Sequence, residues 1–352
     1  VRALLVTTAL VLTAGSAAAE PAVVDVCRVT GSSLAELSGL ASNGAEWFAV
    51  NDSDDGRVEI RVLSRTCAVT RTITAPANPF DVEDLALTPD GTLWLADTGD
   101  NGRTRDTVAL HAVSPGGAAK LYRLTYPDGR HDAEAVLFDG RGVPHVVTKE
   151  TIGRALVYRP TGELSETAPT PMEQVAAVSL DTTDTPGGPL QSTVVTRLVT
   201  GGAVSADGRV AALRTYTDAY LYQVPDGDLV AALEGDPVRV PLPNEPQGEA
   251  IAFEPDGTLL SASEFGDAGS SSVIRAVAGA AGLAASSGAT TAEPTTEPSA
   301  EPTATQQSAP ADTTASPSPP LSDGPPAWLV VGGGAFALAL VAALVRRSRR
   351  SR

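Results

Sequence analysis

Apolar residues along this chain fall into short runs, each closed by a turn, and the arrangement recurs. Five stretches carry one phrase, in which an acidic or small residue opens an apolar run. They are residues 36–41, 83–86 before Pro89-Asp90-Gly91, 134–137 before Asp139-Gly140, 202–205 before Asp207-Gly208, and 249–252 before Pro255-Asp256-Gly257. A second apolar run follows each turn, at 47–50, 93–96, 144–148, 210–213 and 259–262. A period of roughly fifty residues with several short strands and Asp-Gly turns per unit predicts an all-β fold, a β-propeller. The second unit parses as strands 82–88, 92–96, 107–113 and 120–126. The fourth parses as 200–205, 209–214, 219–224 and 229–233, with 238–240 following. Five phrases favour five blades, and a sixth, degenerate blade has room around Met172–Thr200. The fifth unit is short after Ile274, so the unplaced run 23–29 is expected to fill its outer edge and close the ring.

The ends of the chain have a different character. Residues 1–19 read as a secretory signal, with Arg2, an Ala/Leu/Val core and Ala17-Ala18-Ala19 as a cleavage site. The propeller is expected over 20–278. From 279 to 326 the chain turns to Thr, Ser, Pro, Ala and Glu, too poor in apolar side chains for a core, which predicts a disordered stalk. Residues 327–345 are uncharged and apolar, long enough to cross a bilayer as one helix. The arginines of 346–352 place that end in the cytoplasm and the propeller outside. The expectation is thus a single-pass protein of the cell membrane with an extracellular N-terminal domain, monomeric in that domain. The scarcity of lysine among abundant Ala, Gly, Arg and Pro suits a GC-rich Gram-positive source.

Charge sharpens this picture. Of 42 acidic and 25 basic residues, six arginines lie in the two end segments and no acid does, leaving 19 basic against 42 acidic residues, a balance of −23. Nucleic acid and anionic lipid are excluded as partners of the exported part. Cations suit it. The two cysteines, Cys27 and Cys67, are expected to form a disulfide tying the N-terminal strand to the end of the first unit.

In a propeller the first strand of each blade lines the central channel, and the loop after the second strand returns to the same face. That topology predicts a ring of carboxylates at one channel mouth. Glu83, Asp97, Asp100, Glu134 and Glu249 are the candidate metal ligands, with Glu36 beside them. Lys149, Arg214 and His131 are the candidate ligand-binding residues at that mouth. Oxygen donors suit calcium over zinc. The segments starting at Asn51 and Asp97 open like calcium loops, but Val62 and Val108 stand where an EF-hand needs a bidentate Glu. The competing reading makes the ring a set of rivets that accept backbone N–H groups of neighbouring blades. His111 and His145 have no metal-ligand spacing, and no nucleophile elbow, zinc-protease or phosphate-loop motif is present.

The phrases Leu37-Ser38-Gly39-Leu40-Ala41, Asp81-Val82-Glu83-Asp84-Leu85-Ala86 and Gln247-Gly248-Glu249-Ala250-Ile251-Ala252 resemble those of the phytase-like and esterase-like propellers of bacteria. Trp94-Leu95-Ala96-Asp97-Thr98-Gly99-Asp100-Asn101 and Arg214-Thr215-Tyr216-Thr217-Asp218-Ala219-Tyr220 resemble uncharacterised actinobacterial surface propellers. The resemblance spans most of 36–264. It implies calcium held by carboxylates, and, for the phytase type, basic residues that receive phosphate. Two lysines and few arginines near the mouth depart from that pattern. Two functions follow as expectations: a tethered binding or scaffold module for a small-molecule or surface ligand, with a divalent cation in its channel, or a calcium-dependent phosphoesterase or esterase using the same mouth.

Overall fold

The computed structural model describes residues 21–29, 32–52, 56–190, 192–265 and 272–287. The signal segment, most of the stalk, the apolar segment 327–345 and the basic tail lie outside the described residues. Among the described residues no helix is long and apolar enough to cross a membrane.

The strands run β1 (Val23–Arg28), β2 (Leu37–Ser42), β3 (Trp47–Asn51), β4 (Val58–Leu63), β5 (Val69–Ala75), β6 (Asp84–Leu87), β7 (Leu93–Asp97), β8 (Val108–Val113), β9 (Ala119–Thr125) and β10 (Ala133–Phe138). They continue with β11 (Pro144–Thr148), β12 (Ala155–Pro160), β13 (Thr170–Val178), β14 (Val199–Val204), β15 (Val210–Thr215), β16 (Asp218–Gln223), β17 (Val238–Pro241), β18 (Gln247–Phe253), β19 (Leu259–Glu264) and β20 (Val273–Val277). Among the described residues they form five four-stranded antiparallel units. These are β2–β5, β6–β9, β10–β13, β14–β17, and β18–β20 with β1 added at the outer edge. A two-residue parallel contact, Thr170 with Leu124 and Pro171 with Thr125, joins the outer strands of the second and third units into one eight-stranded sheet.

The first strand of each unit packs against the first strand of the next, and β18 returns to β2. This is the arrangement of a propeller. Each gap between neighbouring units is filled by its own apolar cluster. One includes Val58, Ile60 and Leu85; the next Leu110, Val136 and Tyr158; the next Leu137, Val157, Leu213 and Tyr222. Leu221, Ile251 and Phe253 fill the fourth, and Leu37, Trp47, Ala262 and Ile274 the fifth. Burying apolar faces on both sides explains why the middle strands read as continuous apolar runs rather than alternating ones.

The seam of the ring lies between the last unit and the first. There β1 pairs with β20, from Val23 opposite Val277 to Arg28 opposite Val273. The Cys27–Cys67 disulfide crosses the seam with a Cα separation of 5.8 Å, joining β1 to the β4–β5 turn. Both expectations for the N-terminal strand hold.

Three details differ from the sequence pattern. Residues 229–233, expected as a strand, form the short helix α1 (Leu229–Leu233): the Asp228 carboxylate accepts the N–H groups of Val230 and Ala231, and helical spacing buries Leu229, Ala232 and Leu233 together. The long interval before β14 holds a 3-10 turn, Thr193–Arg197, and irregular chain rather than strands of a further unit among the described residues. That chain is fixed by Thr183 and Thr185, whose hydroxyls donate to Asp218 at 2.7 and 2.8 Å. Finally, the first residues of the segment expected as stalk form α2 (Ala280–Ser287), with Ala280 and Ala284 buried against the fourth and fifth units.

The axis of the ring is narrow. A Cβ on Gly39 would stand 2.6 Å from Leu85 N, so the first two inner strands meet backbone to backbone only because that residue has none.

Candidate functional site

The inner strands all begin at one end of the channel, and four of them carry a β-bulge there. The extra residues are Ser38, Glu134, Thr200 and Glu249. Glu83, whose N–H donates to Ala96 O at 2.8 Å, takes the matching place just ahead of β6. Bulges re-aim a side chain that regular pleating would turn into a neighbouring unit. The second strands exit beside them and bring up Asp52, Thr98, Lys149, Tyr216 and Glu264. Structural equivalence therefore pairs Glu83, Glu134 and Glu249 with Ser38, not with Glu36, which stands two residues earlier, level with Asp81 and Asp132.

Some of these positions rivet neighbouring units together. Ser38 Oγ donates to Glu83 O at 2.5 Å, Thr98 Oγ1 to Ala133 O at 2.7 Å and Thr200 Oγ1 to Gly248 O at 2.8 Å, each crossing to the next unit. Asp84 crosses farther. Its carboxylate accepts the N–H groups of Val136 at 2.8 Å and Gly202 at 3.1 Å, linking the second unit to the third and fourth. Among the described residues, no backbone N–H donates to the side chains of Glu83, Glu134 or Glu249. Hydroxyls and Asp84 do the riveting that the sequence left open for the glutamates.

One carboxylate oxygen from each of Glu83, Asp132 and Glu134 lies within 4.8 Å of the other two, and all three residues are buried. Glu36, Asp52 and Glu264 form a second group of that spacing, in which only Glu264 is buried. The two are coupled, because Asp52 of the second acts electrostatically on Glu83 of the first. At this spacing two ionised carboxylates repel by about 3–4 kcal/mol at an effective dielectric near 20. Lys149 is the cation in their midst. Its Nζ lies 2.6 Å from Glu134 Oε1 and 4.9 Å from the centre of the Tyr216 ring.

Titration behaviour follows from burial. Burial, then Glu134 and Asp81, push Glu83 well above the usual carboxylate range. Burial, then Glu264, does the same to Glu249. Glu134 is pushed up to about 8 by burial, against the opposing pull of Lys149. Asp132 is raised for the same first reason. Burial acts to lower Lys149, but Glu134, Tyr216, Glu249 and Asp132 outweigh it and hold the ammonium well above its usual range. Without a further cation the cluster must retain protons near neutral pH.

The side chains of the remaining expected site residues have other partners, although the Asp100 N–H donates to Asp132 Oδ1 at 2.8 Å. Asp97 takes Arg105 at 2.9 Å, His111 at 3.1 Å and the Asp81 N–H at 3.0 Å. Burial pushes it up, but these partners hold it below the usual range. Asp100 accepts the N–H groups of Thr104 and Arg105 at 2.8 Å and shapes the loop after β7. Neither belongs to a three-carboxylate group among the described residues. His131 is bound to Asp128, Glu150 and the Tyr158 hydroxyl at 3.1–3.3 Å. Arg214 does not reach the mouth at all. It is fully buried and donates to Glu245 at 2.6 Å and to the carbonyls of Thr215, Ala250 and Ala262 at 2.9–3.2 Å. It is a bolt between the fourth and fifth units. Of the expected set, the structure brings together Glu83, Glu134, Glu249 and Lys149. It adds Asp132 and Tyr216, and the repeated acid-x-acid spacing of Asp81-Val82-Glu83 and Asp132-Ala133-Glu134 is the sequence signal for the former. Residues 53–55 and 266–271, part of two exit loops, lie outside the described residues.

No family model matches this chain, and no curated protein matches it. Solved structures do. The PQQ-bound aldose sugar dehydrogenase of Streptomyces coelicolor is 12% identical with a TM-score of 0.41, over 74% of this chain and 99% of that one. Virginiamycin B lyase of Staphylococcus aureus is 13% identical with a TM-score of 0.36, over 69% and 67%. A protein of unknown function from Bacteroides thetaiotaomicron is 12% identical with a TM-score of 0.40, over 72% and 75%. At these values no role passes from those proteins to this one.

Proposed function

We propose that this chain is an extracytoplasmic five-bladed propeller, tethered to the cell membrane by residues 327–345, that holds a divalent cation at one end of its channel and binds a ligand there. One observation carries this reading: three buried carboxylates, Glu83, Asp132 and Glu134, converge within 4.8 Å, and among the described residues Lys149 on Glu134 and the Asp100 N–H and Arg103 acting on Asp132 offset only part of their charge. Glu83 is 5% exposed and has no hydrogen-bond donor among the described residues. Calcium fits the donor set, which is all oxygen and supplies part of the six to eight ligands that ion takes. Zinc does not fit, since the described group contains no nitrogen or sulfur donor.

Hydrolysis of a phosphoester has less support. The two basic residues that the resemblance would set against a substrate anion are both engaged, Arg214 in the interior and Lys149 on Glu134. A binding or scaffold role needs no such group.

The test uses the full chain in calcium and in chelator. Calcium at millimolar concentration should raise the melting temperature and give a saturable heat of binding, and E83Q with E134Q should abolish most of both. A protein indifferent to calcium and to chelator would overturn the reading. The tether is tested apart from the site: a tag after Arg352 should survive external protease on intact cells while residues 293–320 are cut.

A further inference from the structure

The opposite end of the channel is built differently. There the inner strands finish, and a cavity of about 580 Å³ opens, lined by residues from all five units. Its wall is apolar and partly aromatic. Trp94 and Phe138 contact each other with ring centres 5.0 Å apart, and Phe253 is the fifth unit's aromatic share of the lining. The charged residues of that lining are Asp90, Asp139 and Asp207, all at the turns that close the inner strands. No lysine or arginine is among them. Arg141 pairs with Asp139 at 2.8 Å and points to solvent, and Arg209 stands beside Asp207. Asp90 and Asp207 are held ionised by hydroxyls of their own turns, Thr88 and Ser205, each at 2.7 Å.

We infer that this cavity is a second binding site, for an organic cation with an apolar body. The volume suits a ligand of small-molecule size. Aromatic faces with carboxylates at the rim favour a weakly hydrated cation, since the ring quadrupole and the rim charges both attract it while the walls accept its hydrocarbon. An anion of the same size would meet the same walls against an unfavourable rim. The inference stands apart from the calcium reading, because the two sites lie at opposite ends of the inner strands and share no residue.

The full chain is titrated with benzyltriethylammonium and, at equal ionic strength, with phenylmethanesulfonate, and binding is followed by calorimetry and by tryptophan fluorescence. The cation should bind at least tenfold more tightly than the anion and change the emission, and W94F should remove that change. D90N with D207N, which keeps an oxygen acceptor for each turn, should cut cation affinity about tenfold. A203F, which fills the cavity, should abolish binding. The calcium response should be the same in all of these variants. Equal affinity for the two probes, or cation binding untouched by both D90N/D207N and A203F, would overturn the proposal. Should A203F fail to fold, the turn substitutions alone decide.

Discussion

Lys149 Nζ lies 2.6 Å from Glu134 Oε1, with Glu134 buried and Lys149 partly so, and it is the cation that stands within the carboxylates at the head of the channel. Removing it as K149M leaves Glu134 desolvated without its partner. The expected loss is about 3–5 kcal/mol in chelator, by urea unfolding. K149M with E134Q should recover most of it. Because the site becomes more negative, calcium should stabilise K149M more than it stabilises the wild type; a smaller calcium effect would argue against a cation at this place.

Asp84 predicts a pH dependence with a definite sign. Burial lifts it to about 7, against the three backbone N–H groups that lower it. The folded state therefore keeps a proton that the unfolded chain releases near pH 4. This contribution to stability is complete below the unfolded value and is lost as pH rises through 7, amounting to about 3 kcal/mol between pH 5 and pH 8. The glutamates of the cluster act in the same direction. Unfolding in chelator should thus show a less stable protein at pH 8 than at pH 5, with a smaller difference in D84N. An unchanged difference in D84N would mean that the slope belongs to the glutamates alone.

Arg214 has donors committed to four acceptors in a fixed fork, which an ammonium cannot reproduce. R214K is expected to cost about 3–5 kcal/mol, nearly as much as R214M. Neither should alter the calcium response per folded molecule. A calcium response lost in R214K at unchanged stability would instead bring Arg214 into the site.

For the bridge, C27S should lower stability by about 3–4 kcal/mol, the chain-entropy value for a loop of this length. Alkylation of Cys67 in C27S, and of neither thiol in the oxidised wild type, is the accompanying check.

Much of the architecture was legible because a propeller repeats. The five phrases fell on the five inner strands, and the missing fifth edge pointed to β1. The misplacements have physical causes. A bulge adds a residue and turns it toward the channel, so the phrase-opening Glu36 looked equivalent to Glu83, where the structure puts Ser38. Arg214 was placed at the mouth because it ends an apolar run, yet β15 extends through Thr215 and keeps it inside. Asp97 and Asp100 share the acidic character of the ring, but Asp97 is taken up by Arg105 and His111, and Asp100 by the N–H groups of its own loop. Which carboxylates are spent on neighbours is a property of three-dimensional packing, and composition does not carry it.

The seam implies an order of assembly. β1 precedes every other described strand, yet its partner β20 lies about 250 residues later, so the ring waits for nearly the whole domain to emerge. Its disulfide partner is only 40 residues away. A bridge formed once the first unit exists would hold β1 at that unit's edge, ready for the last unit to dock. Closing the shorter loop first trims the long one from about 250 to about 210 residues, worth only about 0.2 kcal/mol, so the bridge acts by keeping β1 beside the seam rather than by entropy. Under reducing conditions the same strand would be left searching, with the edge of β20 bare and open to other chains in the meantime.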